Sequence, residues 1–238
     1  MIQACIVQAR MGSTRLPGKI MMPLGDTTVL GQVLRRCASI PGIDVVVCAT
    51  GTVAADDRVC DEAARHGALV HRGSPDDVLA RYHGAARQVG ADVVMRVTSD
   101  CPLIDPAVCG AVLALRREAR ADYAANNMPP SFPHGLDCEA FTAAALARAM
   151  AEARDPHDRE HVTPWLRREV GLLRVNLDGP GGDLVHRRWT LDYPEDFDFF
   201  TAVFAALEDA ATAGWREVLA LVEARPEIAA LNAVRAQR

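Results

Sequence analysis

The 238-residue sequence lacks several features that would place it in a specialised class of protein. It has no apolar run near the roughly 20 residues that a membrane-spanning helix needs. Its N-terminus shows no basic stretch followed by an apolar segment, as in a secretory signal peptide. Its seven cysteines include no Cys-x-x-Cys pair, which favours reduced, buried side chains. We therefore expect a cytoplasmic protein without a membrane partner.

A basic excess is also missing, since the formal net charge is −5. Proteins that bind nucleic-acid polymers usually carry a positive excess, so we expect no such partner. Two phosphate-binding fingerprints, G-x-x-x-x-G-K-[ST] and G-x-G-x-x-G, are both absent. Their absence argues against a P-loop kinase and against a dinucleotide-dependent dehydrogenase.

The first half of the sequence alternates between strand-like and helix-like segments. Short apolar runs predict four strands, at residues 2–7, 44–49, 68–71 and 92–97. Helices are predicted to begin at Thr27 or Thr28, at Asp56 or Asp57, near Ser74 or Asp76, and at Asp105 before Pro106. Such alternation indicates an α/β fold with a mostly parallel sheet.

The pattern changes after residue 122. A strand end is predicted at 123–127, and a proline-rich loop follows at 128–135. Further strands are predicted at 136–141, 172–177 and 186–191, and helices at 197–207 and 215–222, before a polar tail at 225–238. We interpret residues 1–238 as a single domain with a small α/β insertion at about residues 127–184.

The residues that directly follow the first predicted strand concentrate phosphate-binding chemistry. Gly12 and Ser13 allow a tight turn whose backbone N–H groups can face an anion. Arg10, Arg15 and Lys19 lie in the same segment and suit a polyphosphate. The alternative is a plain turn with solvated cations, but open α/β sheets bind nucleotides beyond the carboxyl ends of their strands.

Two acidic residues lie where other predicted strands end. Asp100 follows the strand at 92–97, and Asp192 follows the strand at 186–191, just before Pro194. Mg²⁺ binds through one or two carboxylates together with substrate phosphates and water. Asp100 is therefore a candidate magnesium ligand, whereas capping of the next helix would be a sufficient role for Asp192.

Six blocks of the sequence carry a resemblance to a known family. The first is Gln-Ala-Arg-Met-Gly-Ser-Thr-Arg-Leu-Pro-Gly-Lys at 8–19, and the others lie at 72–79, 96–105, 132–139, 159–164 and 189–196. Together they resemble the cytidylyltransferases that activate acidic sugars such as 3-deoxy-manno-octulosonate and sialic acid. They are most similar to the spore-coat-polysaccharide branch, and the resemblance covers roughly residues 1–210.

The resemblance implies a three-layer αβα fold like that of nucleotide-diphospho-sugar transferases. It implies transfer of CMP from CTP to an acidic acceptor, with release of pyrophosphate. The acceptor would be an ulosonic or nonulosonic sugar acid or a small phosphonate. Family members dimerise through the region equivalent to residues 127–184, so a homodimer is expected.

The resemblance also assigns roles to individual residues. Catalytic roles fall to Arg10, Arg15, Lys19 and Asp100, and Mg²⁺ would be bound by Asp100 and Asp192. The implied nucleotide-binding residues are Ala9, Arg10, Gly12, Ser13, Arg15, Lys19, Arg72, Ser74 and Thr98. The implied acceptor-binding residues are Asn126, His134, Asp137, Glu139 and His161.

Three other interpretations stay open. A sugar-1-phosphate nucleotidyltransferase using another nucleotide is the nearest enzyme class, although those enzymes usually open with a Gly-Gly-rich loop. A non-catalytic nucleotide-binding module would need the loop cations but neither Asp100 nor Asp192. The segment 157–161 matches H-x-x-E-H, a zinc-protease motif, but Pro156 and Pro164 limit a straight helix there to about two turns.

Overall fold

A computed structural model describes residues 1–235 of the chain. Its main sheet has seven strands, and a two-stranded hairpin, β2 with β3, lies outside it. In chain order the strands are β1 (Gln3–Gln8), β2 (Pro23–Leu24), β3 (Thr27–Thr28), β4 (Val45–Gly51), β5 (Leu69–Gly73), β6 (Val93–Thr98), β7 (Tyr123–Ala125), β8 (Glu139–Thr142) and β9 (Arg174–Asn176).

The main sheet is mostly parallel, as predicted. The spatial order of its strands is β5-β4-β1-β6-β8-β7-β9. Within the described residues, β8 alone runs antiparallel to its neighbours β6 and β7. Gln8 at the end of β1 pairs with Ala49 of β4 and with Thr98 of β6. The carboxyl ends of these strands therefore meet at one edge of the sheet.

Helices connect the strands. They are α1 (Val29–Ala38), α2 (Asp57–Arg65), α3 (Val78–Gln88), α4 (Pro106–Glu118), α5 (Ala143–Glu152), α6 (Pro156–His161), α7 (Pro164–Arg168), α8 (Pro194–Ala206), α9 (Trp215–Ala224) and α10 (Pro226–Ala230). In the part of the chain that the structure describes, none of the helices has the length and apolarity required to span a bilayer.

Capping side chains fix several helix starts. Thr28 accepts a hydrogen bond from Gly31 N at the start of α1, at 3.0 Å. Asp105 caps α4 in the same way, and Pro106 occupies its first turn, as predicted. The start of α3 was predicted too early, because Asp77 caps this helix through a 2.9 Å hydrogen bond from Ala80 N.

Apolar side chains pack on both faces of the sheet. Cys5 and Val7 of β1 belong to one buried cluster, which includes residues of α1, α4 and α8. Ala4 and Ile6 point to the other face and pack with residues of α3 and α5. Alternate side chains of a central strand thus pack into two separate cores, one on each face of the sheet. The three-layer α/β fold is therefore confirmed.

Two strands predicted in the second half differ from the structure. Residues 186–191 do not form a regular strand, because a 3₁₀ helix at Gly182–His186 leads into an extended segment joined by an isolated bridge between His134 and Arg188. The alternation in this segment instead buries Trp189 and Leu191 in the core.

The second difference concerns the start of β8, which lies at Glu139 rather than at residue 136. The side chain of Asn126 binds Leu136 O at 2.8 Å and Cys138 N at 2.9 Å. These backbone groups are therefore satisfied by a side chain and not by a neighbouring strand. In the predicted tail, α10 is followed by a 3₁₀ turn, and residues 236–238 lie outside the described residues.

Candidate active site

The loop that follows β1 is anchored to the neighbouring strand β4. Met11 N donates a hydrogen bond of 2.8 Å to Oδ1 of Asp56, and Gly51 N donates to the other oxygen at 3.1 Å. Asp56 is buried, so this link is shielded from water. Gly18 has a φ of 70°, a left-handed conformation that favours glycine. The resulting turn brings Lys19 back to the sheet edge.

A cleft of about 330 Å³ opens beside this loop, and we call it the loop cleft. It is lined by seven residues that the sequence assigned to nucleotide binding, namely Ala9, Arg10, Gly12, Ser13, Arg15, Lys19 and Thr98. No atom lies within 4 Å of the point where a Gly12 side chain would begin. The backbone there is therefore open to a ligand in the cleft.

Lys19 joins the two acidic residues of the cleft. Its Nζ lies 2.9 Å from Oδ2 of Asp100 and 2.9 Å from Oδ1 of Asp192. Arg15 binds the same oxygen of Asp192 at 2.5 Å, and Arg188 binds the other oxygen at 3.0 Å. Carboxylates that are distant in sequence thus converge on one cation, the only lysine of the chain.

These ion pairs determine the charges of the group. Burial by itself would raise the pKa of Asp192, but Lys19, Arg188 and Arg15 hold it at about 2. Burial by itself would lower the pKa of Lys19, but the facing carboxylates raise it above its ordinary value. Lys19 and Asp192 are therefore both charged at neutral pH.

The entry to α8 holds Asp192 in place. Asp196 is fully buried and accepts hydrogen bonds from the backbone N–H groups of Asp192 and Tyr193, at 2.9 and 3.0 Å. Its carboxylate also binds Arg188 Nε at 2.9 Å. Arg188 thus bridges Asp196 and Asp192, so the position of Asp192 is fixed through both its backbone and its side chain.

A second cavity of about 280 Å³, which we call the side pocket, adjoins the loop cleft. The two cavities share Arg15, Thr98, Asp100 and Asp192. Residues that line the side pocket alone are Arg96, Cys101, Asn127, His134, Asp137, Glu139 and Thr190. Three of these, His134, Asp137 and Glu139, were expected at the acceptor site. The Asp100–Asp192 pair therefore lies where the two cavities meet.

Glu139 is buried in the wall of the side pocket. Its carboxylate accepts hydrogen bonds from Arg96 at 2.6 Å, from Arg167 at 2.5 Å and from the hydroxyl of Tyr123. Burial by itself would raise the pKa of Glu139, but the two arginines and the hydroxyl lower it to about 2. The carboxylate is thus committed to protein partners. Nε of Arg96, in contrast, is buried without a partner among residues 1–235.

Two residues assigned to nucleotide binding do not line the loop cleft. Arg72 turns away from it, because its guanidinium binds Gly51 O and Val53 O at 2.9 Å each and Asp57 at 2.6 Å. Ser74 Oγ accepts hydrogen bonds from Asp76 N and Asp77 N, at 3.3 and 3.2 Å. Ser74 therefore supports the turn before α3.

Two acceptor candidates also lie outside the side pocket. Asn126 is buried, and its amide is used by the backbone of the segment before β8. His161 lines the loop cleft instead.

The ring centroid of His161 lies 4.5 Å from that of His157, the other histidine of the H-x-x-E-H motif. Within residues 1–235, no group of three or more His, Cys, Asp or Glu side chains could hold a metal, so the zinc hypothesis finds no third ligand there.

Sequence reasoning missed three arginines of the site. Arg81 lies in the middle of α3, Arg96 in β6, and Arg188 in the segment predicted as a strand. The available signal was a cation at an inward position of an apolar pattern, since Arg81 stands between Leu79 and Tyr82. Such a cation needs an acidic partner or a ligand.

Asp100 and Asp192 suit a hard divalent cation shared with a phosphate ligand. Each directs one oxygen at the same ammonium group, so the space between them already accommodates a positive charge. Two carboxylates are also the usual protein contribution to a Mg²⁺ site, in which substrate phosphates and waters supply the other ligands. The residues present therefore fit Mg²⁺ in the presence of a nucleotide.

The fold and the site define an α/β protein in which two cavities meet at a pair of carboxylates. A sequence model of the cytidylyltransferase family matches residues 4–207. The chain therefore belongs to the cytidylyltransferase family, as its sequence blocks predicted.

Individual relatives agree with this assignment. The spore coat polysaccharide biosynthesis protein SpsF of Bacillus subtilis is 29% identical over 231 residues, which are 94% of this chain and 95% of that protein. A 3-deoxy-manno-octulosonate cytidylyltransferase of Acidovorax is 33% identical, with coverage of 71% and 67%. A solved cytidylyltransferase structure from Leptospira borgpetersenii matches with a TM-score of 0.90 and 31% identity over 96% of both chains.

Proposed function

We propose that the protein transfers CMP from CTP to an acidic acceptor and releases pyrophosphate. The observation that carries this proposal is the meeting of the loop cleft and the side pocket at Asp100 and Asp192. A nucleotide in one cavity and an acceptor in the other would approach each other there. Phosphoryl and nucleotidyl transfer depend mainly on such positioning and on neutralisation of charge.

The loop cleft would take the nucleotide. Gly12 and Ser13 line the cleft together with three cations, Arg10, Arg15 and Lys19, although Ser13 N already donates to Met11 O at 3.0 Å. These groups would hold the triphosphate and stabilise the negative charge of the departing pyrophosphate. The pKa of Lys19 lies above its ordinary value, so this residue acts as a fixed charge and not as a proton donor.

Mg²⁺ would be held by Asp100 and Asp192. When bound, this ion supplies Lewis-acid polarisation of phosphate oxygens and lowers the pKa of a bound hydroxyl group. Hydrogen bonds to Asp196 and Arg188 hold Asp192 in position for this ion. Lys19 pairs with both carboxylates and would balance part of their charge.

The side pocket would take the acceptor. Arg15 and Arg96 are its cationic lining residues, and Nε of Arg96 is buried without a partner within the described residues. A buried donor of this kind favours an acidic group as its ligand. The acceptor class is thus a small acid, either an ulosonic or nonulosonic sugar acid or a phosphonate.

A pyrophosphate-release screen tests the proposal. The protein with Mg²⁺ and CTP is incubated with a panel of sugar acids and small phosphonates, and ATP, GTP, UTP and dTTP replace CTP in parallel. We expect release with CTP and at least one acidic acceptor. Stronger release with another nucleotide would favour a different nucleotidyltransferase, and binding of CTP without release with any acceptor would favour a non-catalytic module.

A further inference from the structure

Arg81 is a buried cation that forms no ion pair with any carboxylate of residues 1–235. The residue is 2% exposed and lines the loop cleft. Its Nε and Nη1 are buried and have no hydrogen-bond partner within residues 1–235. Buried polar groups are almost always satisfied, and a buried charge without a partner is costly. Such a side chain suits an acceptor that a ligand in the cleft supplies.

The acidic residues closest to Arg81 are already committed to other groups. Asp56 accepts hydrogen bonds from Met11 N and Gly51 N. Asp77 accepts hydrogen bonds from Ala80 N and from Arg159 Nε. In the part of the chain that the structure describes, no carboxylate forms an ion pair with Arg81. Burial lowers the pKa of Arg81 and the nearby cation Arg10 adds to this effect, while the charges of Asp56 and Asp77 oppose it only in part.

The backbone around Arg81 is shaped to admit its side chain. A Cβ atom on Gly73, at the end of β5, would lie 2.7 Å from Cγ of Arg81. A Cβ atom on Gly51, at the end of β4, would lie 4.0 Å from its Nη1 and 2.4 Å from Asp56. Strands β4 and β5 thus both end in glycine beside the Arg81 side chain, and glycine at these positions leaves room for it.

The Arg81 side chain lies on one side of the loop that follows β1, and the carboxylates of Asp100 and Asp192 lie on the other side. Strand β1, which carries the loop, stands between β4 and β6. Arg81 lies at the ends of β4 and β5, whereas Asp100 follows β6. Neighbouring strands are about 4.8 Å apart, so a ligand that reaches both groups spans the loop. A nucleotide whose α-phosphate lies at Asp100 would carry its base toward Arg81.

We propose that Arg81 binds the O2 and N3 edge of cytosine and thereby selects CTP over UTP. This inference rests on the proposed function. Cytosine presents two adjacent acceptors on this edge, whereas uracil presents the acceptor O2 beside the donor N3–H. A guanidinium can present two parallel N–H donors either from Nε and Nη2 or from Nη1 and Nη2. Each of these pairs of donors contains a nitrogen of Arg81 that has no partner within residues 1–235, Nε in the first pair and Nη1 in the second.

The inference is tested by measuring the affinities of the variants Arg81→Met and Arg81→Gln for CTP and UTP by calorimetry. Arg81→Met removes all donors, so we expect CTP affinity to fall roughly tenfold to a hundredfold while UTP affinity stays the same. Arg81→Gln offers one donor and one acceptor, which match uracil, so UTP should bind it more tightly than it binds Arg81→Met.

Arg36→Met provides a matched control, because Arg36 is an equally buried arginine that donates to backbone carbonyls outside the cleft. This variant should lose thermal stability and keep its preference for CTP. Arg81→Met should keep its melting temperature without ligand, since methionine fills similar space and no ion pair within residues 1–235 is lost.

The outcomes separate this inference from the proposed function. If the wild-type protein does not prefer CTP over UTP and GTP, the proposed function fails. If the wild type prefers CTP and Arg81→Met weakens CTP and UTP by the same factor, Arg81 contacts the ribose or the phosphates and the inference is overturned. Retention of the CTP preference by both variants at Arg81 would overturn it as well.

Discussion

Lys19 is the residue whose charge links the phosphate loop to the carboxylate pair. Replacing it with alanine removes the cation that faces Asp100 and Asp192. We expect Lys19→Ala to weaken both CTP binding and turnover, with a loss of roughly 2–5 kcal/mol in binding because the charge is partly buried. Calorimetric titration with CTP measures the effect. Lys19→Arg keeps the charge and should lose less, whereas wild-type affinity in Lys19→Ala would remove Lys19 from the nucleotide site.

Asp100 differs from Lys19 in the step at which it is expected to act. If it acts through Mg²⁺ on charge that develops during transfer, Asp100→Asn should reduce kcat far more than it weakens CTP binding. Steady-state kinetics at saturating Mg²⁺, combined with CTP titration, separates the two effects. Asp61→Asn on the exposed face of α2 is the matched control. Near-normal turnover of Asp100→Asn would show that Asp100 is only a turn residue.

The sequence was informative about residues that lie where strands end. Lys19 and Asp100 were expected near each other because parallel strands place their carboxyl ends at one edge. The family resemblance paired Asp192 with Asp100, and the structure brings all three together. Arg72 and Arg81 were not predictable in this way. Arg72 finds carbonyl acceptors on β4 that only tertiary structure provides, and an arginine in the middle of a helix is ordinarily expected at the surface.

At the scale of elements, strand β8 begins with Glu139, whose contribution to the stability of the fold depends on pH. The pKa of Glu139 is about 2 in the folded protein, below its ordinary value of 4.5. Its ion pairs therefore stabilise the fold fully above about pH 4.5, and this contribution is lost as the pH falls toward 2. We expect Glu139→Gln to lower stability at neutral pH, and the difference from wild type to shrink over this window.

Urea unfolding between about pH 7 and pH 3 measures this difference. Glu223→Gln, on the exposed part of α9, is the control and should follow wild type at every pH. A difference between Glu139→Gln and wild type that stays constant down to about pH 3 would contradict the assigned ion pairs. It would indicate that Glu139 contributes through packing alone.

Elements were predictable where local rules and packing agree. Helix α4 begins with Asp105 and Pro106, as its capping residues require. Residues 186–191 were mistaken for a strand, because alternation reports which side chains are buried and not whether the backbone has a neighbour. Trp189 and Leu191 satisfy the alternation by entering the core, while Trp189 N finds its acceptor in His134 O.

At the scale of the whole molecule, the order of the strands explains why the site could be outlined before its contacts were known. The loop follows β1, which lies between β4 and β6. Residues just beyond β1 and β6, such as Arg10 and Asp100, therefore line the same cleft. The side pocket was less predictable, since it depends on β8 running antiparallel to β6 and on the long connection from β7 to β8.

The oligomeric state is the remaining property of the whole molecule that we predict. Strand β9 lies at an edge of the main sheet, and the chain just before it exposes Val170 and Leu173, at 92% and 53%. Apolar side chains beside an open strand edge favour pairing with another chain. We expect a homodimer formed through this region, so light scattering at micromolar concentration should give about twice the monomer mass of 25.7 kDa.

A double substitution tests where such a dimer forms. Val170→Asp with Leu173→Asp places charge at the proposed interface, and we expect the scattering mass to fall to that of one chain. Val53→Asp alters another exposed apolar residue, 49% accessible and distant from β9 in the sheet, and should leave the dimer intact. A wild-type mass near 26 kDa would refute the dimer. A dimer that survives the double substitution would place the interface elsewhere, because two buried carboxylates facing their own copies would repel each other.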